Sequence, residues 1–284
     1  MKRWKAILLL CVVCFIASCG GVNNSAAQNL TKNTMIPIPD EEPEFVVSPL
    51  LEQKTFSADD GTVLAEYSYQ LVTMSLGNPE ELSADAEERA EQVVGSFNER
   101  MESRLSDAMS FGQELGDMAE SAYESEMLPV AYSDEATASV VRQGQIYSIR
   151  VDSSSFTGGA HPNSYTDSYL FDVVLGQFID PAQVADDPVA FQTGAAKLLL
   201  EKAKELDTDV QSGYYPEYED VIAHWYDGTV LFDKEGMTVV YSPYVLGPYA
   251  LGTVELKVSY QEIEDLLGPG GQERLGIGST EEAE

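Results

Sequence analysis

Thr62-Val63-Leu64-Ala65-Glu66-Tyr67-Ser68-Tyr69-Gln70-Leu71-Val72-Thr73-Met74-Ser75-Leu76 alternates between apolar and polar side chains. Val63, Ala65, Tyr67, Tyr69 and Leu71 fall on one side, with Glu66, Ser68 and Gln70 on the other. That two-residue period predicts a long strand with one buried face. Asp59-Asp60-Gly61 just before it reads as a turn. The period then changes. Ser83 is placed to cap a helix whose stripe is Ala86, Ala90, Val93, Val94, Phe97, Met101 and Leu105. A second helix is expected over Gln113–Glu126, with Leu115, Met118 and Ala122 on one face, although Gly112 and Gly116 count against it.

Further along, Val140–Ser155 and Ser164–Val174 read as paired strands around a Gly-containing loop, and Gly176 turns the chain into a short strand at Gln177–Ile179. Asp187-Pro188 supplies a cap and a first-turn proline for a helix reaching about Leu206, carrying Val189, Ala195, Leu198, Leu199 and Leu206. A short helix is expected over Glu217–Tyr226. Val230–Phe232 and Met237–Tyr241 form a hairpin through Asp233-Lys234-Glu235-Gly236, followed by a strand at Thr253–Val258. Ser259-Tyr260-Gln261-Glu262 is a capping box, and Gly268-Pro269 is expected to end the last helix. The class is α+β: mostly antiparallel sheets with packed helices, in two closely associated subdomains, residues 45–139 and 140–268. Residues 269–284 read as a frayed, acidic tail.

The amino terminus predicts an address. Lys2, Arg3 and Lys5 precede an apolar or small run from Ala6 to Ile16, and Ile16-Ala17-Ser18-Cys19-Gly20 follows. Positive, apolar, then small residues is the order of a secretory signal, and about eleven residues fall short of the roughly twenty needed to span a bilayer. The segment resembles the bacterial lipobox. That resemblance implies cleavage of residues 1–18, acylation (palmitate-type) of Cys19 and attachment to the outer face of the cell membrane, an outer membrane not being excluded. Two acyl chains would hold stably where one would not. Residues 19–44 would be a flexible tether with a reach of roughly 25–30 Å. Cys11 and Cys14 would leave with the signal, so no disulfide, thiol nucleophile or cysteine metal site is expected in the folded part.

The chain carries 16 basic and 48 acidic residues, a net charge of −32. Loss of residues 1–18 removes three basic residues and no acidic one, taking the charge to −35. Such a body repels nucleic acid and anionic lipid and favours cationic partners at low salt. Solubility or salt adaptation would also account for it.

Four segments resemble one family: Ser155-Phe156-Thr157-Gly158-Gly159-Ala160-His161-Pro162, Leu170-Phe171-Asp172 leading to Gly176, Tyr241-Ser242-Pro243-Tyr244, and Gly247-Pro248-Tyr249-Ala250-Leu251-Gly252. They look like the extracytoplasmic domain of unknown function found in the lysozyme-sensing anti-sigma factor RsiV and beside the peptidoglycan deacetylase PdaC. The strand and helix carrying Phe97-Asn98 look like the partner domain that usually precedes it. The resemblance implies an envelope-facing binding role, with lysozyme as the ligand in the RsiV-like case. An anti-sigma role is not expected, because only five residues precede the apolar run. Deacetylation is not expected either, because His161 and His224 are the only histidines.

The Gly158-Gly159 pair permits unusual backbone and close approach of another chain. It would either present His161 to a partner or bend tightly, leaving His161 hydrogen-bonded in the core. Pro243-Tyr244 and Pro248-Tyr249 are rigid turns that either display aromatic anchors or seal the sheet. Gly158, Gly159, His161, Tyr244, Pro248 and Tyr249 are thus the candidate binding residues, and Cys19 the lipidation site. No catalytic residue, metal site or cofactor is expected, since no nucleophile-elbow, phosphate-loop or metalloprotease pattern occurs. The leading expectation is a lipid-anchored binding module for a cationic envelope-active protein such as lysozyme, or for peptidoglycan. A cell-wall glycan hydrolase using acidic residues and a structural envelope lipoprotein are the alternatives. Cys19→Ser is expected to abolish incorporation of a labelled palmitate analogue in growing cells; undiminished labelling would refute the lipobox reading.

Overall fold

A computed structural model of the chain describes residues 42–210 and 213–278; Cys19 and the expected tether up to Glu41 lie outside the described residues. The elements run β1 (Phe45–Ser57), β2 (Val63–Leu76), α1 (Ala84–Glu124), β3 (Tyr132–Arg142), β4 (Ile146–Phe156), β5 (Asn163–Asp172), β6 (Gln177–Phe178), α2 (Pro188–Val210), α3 (Tyr218–Ala223), β7 (Thr229–Phe232), β8 (Gly236–Tyr241), β9 (Val254–Ser259) and α4 (Tyr260–Arg274). The first six strands form one sheet in sequential order, and β7-β8-β9 form a second. The fold is α+β.

In β2 the alternation is realised: Ala65, Tyr67, Tyr69 and Leu71 are buried while Glu66, Ser68 and Gln70 are exposed. Val63 is the exception, exposed at the strand's start. β2 pairs antiparallel with β1 and parallel with β3, and α1 is the crossover that parallel pairing requires. The sequence does not announce β1. It is an edge strand with no fully buried position, which blurs its period, and an edge tolerates the missing donor of Pro49.

α1 corrects the expectation of two helices. It is one helix of 41 residues, with Gly112 and Gly116 buried inside it. A Cβ on Gly112 would lie 2.4 Å from Tyr67 Cδ1, and one on Gly116 would lie 2.4 Å from Phe56 Cε1. The glycines therefore mark a close approach of helix to sheet, and that contact outweighs the roughly 1 kcal/mol each costs in helix propensity. Ser83 Oγ accepts the Ala86 N–H, and Ala90, Phe97, Met101 and Leu105 are buried as the stripe requires. Met118, expected inward, is exposed. Since β3 pairs only with Ala65–Gln70, the rest of β2 lacks a neighbour on that side. Asn98 of α1 takes its place: its amide accepts the Met74 N–H at 2.8 Å and donates to the Met74 carbonyl at 2.9 Å.

Val140–Ser155 is not one strand. The chain reverses through Gly144, with φ +150°, so β3 and β4 are antiparallel neighbours. The expected boundary between residues 139 and 140 falls inside β3, with the six-stranded sheet on both sides of it. β4 is covered on both faces. Tyr147, Ile149 and Val151 join the core under α1, while Ile146 joins the core around α2 and the second sheet.

The two sheets meet along β7. One edge of β7 pairs with β8, which leaves the N–H groups of the other edge to be satisfied elsewhere. Val230 N–H donates to Ser168 Oγ at 2.9 Å and Phe232 N–H to Ser148 Oγ at 3.1 Å. Thr229 Oγ1 adds a bond to the Thr166 carbonyl. Arg142, at the end of β3, donates to the carbonyls of Asp233 and Leu275 and to Tyr260 Oη, pinning the hairpin and the C-terminal segment to the first sheet.

On the far side of the second sheet lies α2. Asp187 caps it, and Phe191, Ala195, Leu199 and Ala203 face the core. Val189 and Leu206, assigned to that face from sequence, are exposed. Glu262 of α4 accepts from Ser259 as a capping box and pairs with Lys202 of α2 at 2.8 Å. Gly268, with φ +70°, breaks α4 where expected. The described residues beyond it, 269–278, pack instead of fraying, because Leu275 is fully buried and Arg274 and the Gly270 N–H engage Asp186.

Gly112→Ala is expected to lower unfolding stability by about 1–2 kcal/mol, since overpacking of about 1–3 kcal/mol exceeds the propensity gain. Gly95→Ala, where a Cβ meets nothing within 4 Å, is expected to raise it by up to about 1 kcal/mol. Urea denaturation reads both. Lys202, together with the Ser259 N–H and hydroxyl, holds the Glu262 carboxyl down at about 2. A depressed folded pKa stabilises above the unfolded value of 4.5 and is lost as pH falls toward about 2. Glu262→Gln should therefore flatten the stability profile in that window, and an unchanged acid limb would show the box to be inert.

Candidate functional site

The loop between β4 and β5 turns through Gly158 and Gly159, with φ of +90° and +105°. Open space surrounds both, so backbone conformation, not crowding, selects glycine there. This loop delivers His161 beside two other turns. The first follows β8: Ser242 Oγ accepts the Thr166 N–H at 3.1 Å, and Val245 N–H closes on the Ser242 carbonyl. Tyr244 sits in that turn at φ +72°, a left-handed conformation uncommon for a residue bearing a large side chain. The second begins at Pro248, which caps a single 3-10 turn, Tyr249–Leu251, ended by Gly252 at φ +74°. Gly247 is forced by contact, since a Cβ there would sit 2.4 Å from the Gly213 carbonyl oxygen.

Three rings converge. His161 stacks on Tyr249 with centroids 3.5 Å apart and planes 10° from parallel. Tyr244 lies 5.8 Å from Tyr249 and 6.4 Å from His161. His161 Nδ1 is 3.0 Å from the Pro162 carbonyl, and its Nε2 is 3.3 Å from Tyr244 Oη. A carbonyl only accepts, so Nδ1 is the donor to Pro162, and Nε2 and the Tyr244 hydroxyl lie within hydrogen-bond reach of each other. The group is a rim and not core: Tyr244 is 53% exposed, Pro248 is exposed, and His161 and Tyr249 are half-buried. Of the two alternatives left open for His161, burial in the core does not describe this half-buried ring.

A cleft of about 490 Å³ adjoins the same turn. Ser242 and Val245 line it together with Val221, His224 and Trp225 from the α3 region and Val240 and Tyr241 from β8. The Tyr241 hydroxyl is buried there without a hydrogen-bond partner among the described residues, and burial pushes its pKa up. His224, exposed, is bonded through Nδ1 to the Asp220 carbonyl. Sequence reasoning did not place His224 or Tyr241 in a site. His224 carries no local signal and Tyr241 only its place in a resembling segment, because the cleft exists only where α3 meets the second sheet. Among the described residues, no group of three or more His, Cys, Asp or Glu side chains is disposed to hold a metal ion. No helix among them is long and apolar enough to cross a membrane.

A fold and rim of this kind can be set against known proteins. Residues 196–261 match the model of a family described as "Protein of unknown function (DUF3298)". That stretch runs from the middle of α2 to the start of α4 and includes Tyr244, Pro248 and Tyr249 but not His161. A solved structure of a DUF3298 family member from Bacteroides fragilis superposes with a TM-score of 0.56 at 16% identity, covering 82% of this chain and 97% of that one. At that identity the likeness concerns the fold alone. A DUF3298 family protein from Pseudomonas aeruginosa is also similar, with a TM-score of 0.44, 18% identity, and coverage of 80% and 96%. No curated protein matches the sequence.

Proposed function

We propose that the chain is a lipid-anchored, extracytoplasmic binding module of the RsiV-like class, which holds a cationic envelope-active protein such as lysozyme and acts without catalysis. The observation that carries this reading is the assembly of His161, Tyr244 and Tyr249 into one exposed rim. Stacking and short turns hold the rings before any partner arrives, so docking onto them loses little conformational entropy. Tyrosines on pinned turns are suited to be binding anchors. The net charge of −32 favours encounter with a basic partner, and the Cys19 segment would put the module where such a partner is met.

The test is a titration of the full chain with lysozyme at low and moderate salt. Saturable binding is expected, with Tyr244→Ala and Tyr249→Ala each weakening it about tenfold. No saturable binding at low salt would remove the lysozyme reading. Equal binding by an unrelated acidic protein of similar charge would reduce it to nonspecific attraction. Unchanged affinity in both variants would move the contact away from the rim.

A further inference from the structure

Between α1 and the first sheet lies a small pocket of about 120 Å³. Its floor is polar where the neighbouring core is apolar. Asp134 of β3 is 7% exposed, and its carboxylate accepts a hydrogen bond from Tyr69 Oη at 2.7 Å. Burial pushes the Asp134 carboxyl up, opposed by the hydrogen bonds of Tyr69 and Ser155 and by the charge of Arg104. Ser153 of β4, 5% exposed, also lines the pocket, and its hydroxyl has no hydrogen-bond partner among the described residues. A buried hydroxyl left unpaired is costly, and here it faces a space that can supply a partner.

The mouth of the pocket is aromatic. Phe111 of α1 and Tyr165 of β5 line it and are 40% and 44% exposed, unusual values for rings beside a core. Asp107 adds a second carboxylate from α1. Among the described residues Arg104 is the one cation in the lining; it pairs with Asp167 at 3.7 Å and its charge also acts on Asp134, but the carboxylates of Asp107, Asp134 and Glu135 outnumber it. The surrounding balance is therefore negative. Buried carboxylate, free hydroxyl and flanking π faces together match a cation on an apolar stem. The volume corresponds to about four water molecules, room for the end of one side chain and far below the roughly 300 Å³ of ordinary ligand pockets.

We infer that this pocket takes the alkylammonium end of a lysine side chain from the protein partner, with Asp134 and Ser153 receiving the ammonium and Phe111 and Tyr165 enclosing its stem. The inference rests on the proposed binding of a cationic protein and adds a second contact point to it. Ser153 Oγ then accepts an N–H that no described group of the protein itself supplies.

Two arms of one experiment test it, using the full chain. In the first, Nα-acetyl-lysine methylamide is titrated and the ring signals of Phe111 and Tyr165 are followed by NMR, with the Nε-acetylated amide as the uncharged control. The charged probe should shift both rings saturably and the control should not. In the second, lysozyme affinity is measured for Phe111→Ala, Ser153→Ala and Asp134→Asn. Phe111→Ala, an exposed site with no change of charge, should weaken binding about threefold to fivefold, and Asp134→Asn about tenfold. Thermal melts accompany each variant; if Asp134→Asn loses binding because it unfolds, Phe111→Ala decides the outcome. Lysozyme binding that is equal in wild type and Phe111→Ala, with no ring shift from the probe, overturns the pocket and leaves the binding-module reading standing. Ring shifts from the probe without any lysozyme binding overturn that reading and the protein source of the ammonium together.

Discussion

The seam along β7 is the contact on which the arrangement of the molecule depends. β7 belongs to the second sheet, yet its outward N–H groups are taken up by Ser148 and Ser168 of the first. An unsatisfied N–H in that position would cost about 1–3 kcal/mol, so each serine hydroxyl is a structural requirement of the seam and not an ornament of the surface. The same seam carries Thr166, whose N–H reaches Ser242 and whose carbonyl takes the Thr229 hydroxyl. The loop after β4 and the turn after β8 belong to different sheets. They meet in one rim because this seam sets the sheets side by side.

A second constraint shapes the other half. α1 lies so close to β1 and β2 that two of its positions admit no side chain beyond hydrogen. At the level of Phe97 and Met101 the helix covers an apolar face, with Phe97 meeting Phe171 edge-on at 5.2 Å. Toward Arg104 and Asp107 the buried face of the sheet turns polar, with Tyr69, Asp134 and Ser153 beneath the helix. A sheet that needed only to cover its helix would continue with aliphatic side chains there. The hydroxyl and carboxylate groups beneath α1 are where local packing preference has been set aside, and such departures concentrate at functional sites.

For function, the comparisons establish a DUF3298 match over the C-terminal stretch and a shared fold with a bacterial protein of that family. A shared fold does not carry an activity. The reading as a binding module rests instead on rings held ready at an exposed rim, on strong negative charge, and on an amino terminus resembling a lipobox. These belong together physically. On the proposed reading, an acidic body would draw basic partners to it, and rigid aromatic turns would convert a loose encounter into a docked one.

The elements with strong local chemistry were legible from the sequence by itself. Alternation gave β2, the Asp187-Pro188 cap gave the start of α2, the Asp233 turn gave the β7–β8 hairpin, and the capping box gave α4. Each is decided within a few residues, by period or by a cap. The glycine positions at the rim were also legible, since positive φ is a local demand. What only the tertiary structure decided is everything set by contact across the fold. Gly112 and Gly116 read as helix breakers until Tyr67 and Phe56 are seen against them. β1 shows no period because its partner, not its pattern, makes it a strand. The described part of the tail, residues 269–278, is held by Asp186 and a buried Leu275, neither of which the tail's own composition suggests. His161, Tyr244 and Tyr249 could be named from the sequence, but their stacking depends on a seam between two sheets. No stretch of chain contains that seam, because its hydroxyls and its N–H groups lie more than sixty residues apart.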